Sequence, residues 1–156
     1  MPRILGLAMV ILTVSSCSSP LSPDLDDLRS APEAIVINSR AYTLEAYLYR
    51  NLMPPVPPDG RPLISIIWVT AEDHNPFPAT LDADRIWVIY GQDIWEEKLS
   101  PGSSGDPSRQ HQLEKVARDG PKWGPGVYVD VVVRVVESGG KDHLLRASHQ
   151  RIGAAY

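Results

Sequence analysis

The side chains able to do chemistry are few in this 156-residue chain. Four histidines, His74, His111, His143 and His149, raise the question of a metal site, because imidazole nitrogen is a common zinc ligand. Their spacing argues against one. No H-x-H or H-x-x-x-H pair occurs, and His143 and His149 on one regular strand would stand about 20 Å apart. No metal and no other cofactor is expected. For acyl hydrolysis, Gly102-Ser103-Ser104-Gly105 lacks the G-x-S-x-G spacing and reads as a loop rather than a strand-to-helix elbow. Glu72, Asp73, Asp82 and Asp84 offer paired carboxylates for glycoside chemistry if the fold brings them to one edge. An enzyme or ligand carrier would need Glu72, Asp73 or His74 to meet Asp130 or His143 inside one cleft. No catalytic residue is assigned on these strings. A binding or structural module is the leading expectation, with a small hydrolase-type enzyme or ligand-binding domain as the alternative. A protease-inhibitor-like module rests on fold analogy alone, and requires a proline-rich loop projecting in a rigid extended form.

A formal charge of -4 and a pI near 5.5 supply no basic face for nucleic acid. With 43% hydrophobic and 22% charged residues, the sequence has the composition of a folded domain rather than a disordered one. Its one cysteine, Cys17, excludes an internal disulfide and a multi-cysteine zinc site.

Arg3 precedes the apolar run Ile4 to Leu12, which is about half of the roughly 20 residues needed to cross a bilayer, so it fits a signal-peptide core. Val14-Ser15-Ser16-Cys17 then resembles the lipobox of bacterial lipoprotein precursors. That resemblance implies that residues 1–16 are removed and that the Cys17 thiol becomes a thioether to diacylglycerol. The new amino group is then often acylated. Ser18, where aspartate would favour retention at the inner membrane, points by the same resemblance to the outer membrane. Two or three acyl chains hold a protein stably where one does so only reversibly. Cleavage leaves 140 of the 156 residues and removes Arg3, so 14 basic residues face 19 acidic ones and the charge becomes -5. The expected partners are the membrane, through this anchor, and a protein of the envelope.

Two segments are candidate binding elements. Gly120 to Gly126 surrounds Trp123 with glycine and proline, which would present the indole as a platform or seat it over the open end of the fold. Met53 to Pro62, with Pro55 and Pro57 at its centre, should be extended, as a recognition segment or as a stiffened loop. Trp68, Trp87 and Trp95 lie in or beside strands and are expected in the core or on a sheet face. A carbohydrate-binding aromatic row finds no support in regular spacing.

The elements that must position these residues are mostly strands. Residues 17–33 read as lipidated cysteine and flexible tether, with a short helical turn over Asp24 to Arg29 as the alternative. Strand character follows over 34–38, 42–52, 63–69, 85–90 and 94–99. The clearest strand is Val127 to Val136, with valine at the odd positions, and Glu137 to Asp142 then turns the backbone into a C-terminal hairpin ending near Ser148. Leu113, Val116 and Ala117 suggest one helix between Pro107 and Arg118, stopped by Gly120 and set in a loop insertion over 100–126. About seven strands imply an all-β domain over 34–156, an antiparallel β-sandwich of immunoglobulin-like type.

Overall fold

The computed structural model describes residues 22–103 and 105–156, so the lipobox and Cys17 lie outside the described residues. The described part runs α1 (Leu25–Arg29), β1 (Ala34–Ile37), β2 (Arg40–Asn51), β3 (Leu63–Ala71), β4 (Leu81–Tyr90) and β5 (Asp93–Lys98). It continues through β6 (Ser100–Pro101), a 3-10 turn (Pro107–Arg109), β7 (Gln112–Gly120), β8 (Tyr128–Glu137) and β9 (Asp142–Ala155). Among the described residues no helix is long and apolar enough to cross a membrane.

The fold is all-β, as expected, but its nine strands form one nearly closed mixed sheet, in the order β5-β4-β8-β9-β2-β3-β7-β6 with β1 beside β2. Two links between its halves give this barrel-like arrangement in place of the expected immunoglobulin-like sandwich. β9 first pairs antiparallel with β8, from Asp142 to Arg151 with a bulge after Ala147, and then parallel with β2, from Ile152 to Ala155. The bulge holds His149, whose φ of 55° is left-handed, and the Asp130 carboxylate accepts its N–H at 2.8 Å. On the other side β5 runs into β6 through Leu99, pairing first with β4 and then with β7. The Lys115–Asp82 ion pair, at 2.6 Å, ties β7 to β4 across that seam.

Side chains alternate faces along each strand, and the inward set fills the barrel. Tyr42, Leu48, Leu63, Ile67, Val88, Trp95, Val131, Val133, Leu145 and Ile152 are all in this buried core. Gly120 makes room for one of them, because a Cβ there would stand 2.8 Å from ring carbons of Trp95. The β1–β2 hairpin turns at Asn38 and Ser39, both left-handed (φ 50° and 63°), the geometry of a two-residue type I′ loop.

The helix expected between Pro107 and Arg118 is a strand. After the 3-10 turn, Leu113, Lys115 and Ala117 face inward and Gln112, Glu114 and Val116 face outward, all in register with β3, and a bulge at Arg118 and Asp119 precedes the pairing of Gly120 with Leu63. An apolar set at 113, 116 and 117 fits either period. The exposed edge of β3 decides between them, since its backbone groups need partners. The stretch read as tether carries the alternative helical turn: Asp24 caps α1 by accepting from the Asp27 N–H, and Leu28 and Ala31 are buried against Trp87, Ile89 and Val132. α1 thus covers the outer face of the β4–β8 half of the barrel.

Candidate functional site

Among the described residues no element covers the opposite half of the barrel in this way. Its outward residues come from β2, β3 and β7, whose register fixes them in rows. One row sets Glu45, Trp68 and Glu114 side by side, the next Tyr47, Ile66 and Val116, and the next Tyr49 beside Ile64. Tyr47 is 49% exposed, and Tyr49, Ile64, Ile66 and Trp68 are half-buried. The result is a contiguous apolar face on strands rather than on loops. Aromatic and branched residues favour strands for their packing against cross-strand neighbours, so this composition serves the sheet as well as a surface.

The aromatic rings of this face are already engaged. Tyr47 and Tyr49 stack at 5.3 Å between centroids. Trp68 Nε1 donates to Glu114 at 2.9 Å, and the Arg109 guanidinium lies 5.5 Å from the indole centroid. At the β2 end the face runs into a hollow of about 200 Å³ lined by Asn51, Arg61, Pro62, Ile64, Arg118 and Asp119. Arg61 donates to the Pro55 carbonyl, and among the described residues neither it nor Arg118 has a carboxylate partner.

The two loops singled out from sequence meet at one end of the barrel, and Arg50 joins them. Arg50 points inward from β2 and is 3% exposed. Its guanidinium donates to the carbonyls of Asp59 (2.6 Å) and Arg61 (2.6 Å) in the proline-rich loop. It also donates to Lys122 (2.7 Å) and Gly124 (3.1 Å) in the glycine-rich one. The Lys122 ammonium also pairs with Asp59. Pro55 and Pro57 are exposed, but their loop is drawn onto the barrel by these bonds, whereas an inhibitor loop would project. Trp123 is half-buried against the core, with the Tyr90 ring at 5.5 Å, which is the position of a cap on the barrel end.

The titratable candidates do not converge. Asp73 is held by Arg40 at 2.8 Å beside His74, whose ring lies 4.9 Å from that of His111. Asp130 sits instead at a hollow of about 170 Å³ with His149 and Arg29, and His143 bonds Glu137 at 2.8 Å on the β8–β9 hairpin. Asp82 and Asp84 belong to the pairs with Lys115 and Arg134. Hydrogen bonds from Arg40, Arg134 and Lys122 hold the carboxyls of Asp73, Asp84 and Asp59 below the usual carboxylate range, and Ser148 and Ser108 do the same for Glu33 and Asp106. A general acid needs the reverse shift. Among the described residues no group of three or more histidine, cysteine, aspartate or glutamate side chains is assembled to hold a metal.

A cleft of about 500 Å³ lies on the α1 side and is lined by Ser22, Pro23, Asp27, Arg85, Trp87, Glu96, Arg134, Asp142 and Leu144. Its arginines are occupied, Arg85 by Glu96 and Arg134 by Asp84. Ser22, the first described residue, stands at its rim. Comparison with protein-family models, with curated proteins and with solved structures returned no match for this sequence or fold.

Proposed function

We propose that this protein is an exported lipoprotein, anchored in the bacterial envelope through Cys17, whose barrel binds another protein through the outward face of β2, β3 and β7. One observation carries the binding reading: α1 covers the outer face of β4 and β8, while among the described residues no element covers Tyr47, which is 49% exposed, or the half-buried Tyr49, Ile64, Ile66 and Trp68 across the barrel. Large contiguous apolar patches on a protein surface mark interaction sites.

The anchor supports a direction for that face. With α1 docked, the leash from Cys17 to Ser22 is five residues, and fully extended it spans about 17 Å. It joins the barrel on the α1 side. The two halves of such a barrel are roughly 10 Å apart, with side chains beyond each, so a leash of that length holds the α1 side near lipid and turns the Tyr47–Ile66 face to the aqueous compartment.

The test has two arms in the host bacterium. Labelled palmitate is expected on the full-length protein and absent from Cys17→Ser, which should leave the membrane fraction; label retained on that variant contradicts the anchor. A Tyr47→Ser/Ile66→Ser variant is expected to keep a melting temperature within a few degrees of the parent, because the residues already meet water. A loss of 15 °C would make the face a structural layer and contradict the binding reading.

A further inference from the structure

The chemistry around the apolar face narrows what it takes. Sugars bind protein aromatics by lying flat on ring faces, and here Tyr47 and Tyr49 turn one face of each ring to the other while Arg109 lies over Trp68. One face of each ring is thereby taken, and beside them lie the aliphatic side chains of Ile64 and Ile66, a surface suited to other side chains. At the end of the Tyr49–Ile64 row, Arg61 and Arg118 enter one hollow of about 200 Å³ floored by Ile64. In a protein with more acidic than basic residues, this hollow holds two guanidinium groups against the single carboxylate of Asp119. Elsewhere Arg40, Arg85, Arg109, Arg134 and Arg146 each have a carboxylate partner, and Arg29 and Arg50, like Arg61, donate to backbone carbonyls.

We infer that the partner is an acidic polypeptide segment, laid across the face with apolar side chains over Tyr47, Ile66 and Ile64 and a carboxylate in the Arg61–Arg118 hollow. This rests on the docking face proposed above. Guanidinium groups recognise carboxylates through paired N–H donors, so charge sets the register while the apolar rows supply contact area. A glutamate or aspartate side group and the terminal carboxylate of a polypeptide present the same chemistry.

The experiment uses the full-length protein purified in detergent and short fluorescein-labelled peptides that alternate leucine with glutamate. The peptides are prepared as free acids and as C-terminal amides, with leucine–glutamine peptides as controls. Anisotropy should show the glutamate peptides binding at least about tenfold more tightly than the glutamine ones, and more weakly as salt rises. A preference for the free acid among glutamine peptides would identify the C-terminus as the carboxylate recognised. Arg61→Gln/Arg118→Gln should remove the preference for glutamate while leaving the melting temperature unchanged. Tyr47→Ser should weaken every peptide. If the arginine variant binds as the parent does while Tyr47→Ser weakens binding, the face stands and the acidic partner is overturned. If Tyr47→Ser has no effect, the docking face itself is overturned. If no peptide binds, the inference fails.

Discussion

Arg50 Nη1 donates to the Lys122 carbonyl oxygen at 2.7 Å, across 72 positions of sequence. A buried guanidinium is usually satisfied by a carboxylate; this one is satisfied by carbonyls of two loops, which it closes over the barrel end. Gly60 is fitted to it, since a Cβ there would enter the guanidinium.

Replacing Arg50 by alanine would leave four carbonyl acceptors facing a void. The expected cost is about 3 kcal/mol or more, a fall of roughly 10 °C in melting temperature. Arg50→Lys should recover little of it, because a point ammonium cannot reproduce the planar fork. Thermal unfolding followed by circular dichroism checks both variants; a lysine variant as stable as the parent would contradict the clamp.

Gly120→Ala should destabilise the barrel by about 1–3 kcal/mol through contact with Trp95. The cost is steric, so it should shrink in the double variant with Trp95→Leu relative to Trp95→Leu alone. Denaturant unfolding of the four proteins measures that coupling, and strict additivity would place the strain elsewhere.

Much of the scaffold was legible, for identifiable reasons. The valines at 127, 129, 131, 133 and 135, with Asp130 and Arg134 among the residues between them, do form β8 from Tyr128 onward. The turn chemistry of Glu137 to Asp142 gives the β8–β9 hairpin, where the Glu137 N–H donates to the Lys141 carbonyl. β7 was not legible because its apolar residues suit a helix as well as a strand, and only the edge of β3 resolves the ambiguity. The parallel β2–β9 pairing follows a bulge at His149, and nothing local to Ser148 or Gln150 announces a left-handed histidine.

The candidate face was hidden for another reason. Leu63 to Val69 is apolar at nearly every position, which reads as a strand buried on both sides; here the Ile67 side is buried and the Ile66 side meets water. Trp123, by contrast, stood out by its unusual neighbours and proves to be a half-buried cap. Arg50, one charged residue in a run of strand formers, carried no local signal that it would gather two distant loops.

Ser65 is fully buried on the inner face of β3, and its Oγ has no hydrogen-bond partner among the described residues. Ser65→Ala should therefore be neutral or stabilising by up to about 1 kcal/mol, since it removes a desolvated hydroxyl without deleting a bond. A clear loss of stability in denaturant titration would show that the hydroxyl is satisfied in solution.

Stability should fall in acid. Asp84 is held below its ordinary value of 3.8 chiefly by the Arg134 hydrogen bonds, and Asp73 likewise by Arg40. A carboxylate lowered on folding contributes stability that is fully present above its unfolded value and is lost as pH falls through the folded one. Melting temperature should then be flat above about pH 5 and decline below pH 4. Arg134→Gln should lower the plateau and shallow the decline, and an unchanged acid limb would exclude the pair as a contributor.

The central claim is that the Tyr47–Ile66 face meets protein on the side of the barrel turned from the membrane. A photo-crosslinking residue placed at Tyr47, and in a second variant at Asp27 on α1, tests it in living cells. Tyr47 should yield an adduct with a polypeptide that disappears in the Arg61→Gln/Arg118→Gln background, and Asp27 should yield an adduct with phospholipid. Phospholipid captured from position 47 would contradict the account, because it would place the apolar face against the membrane.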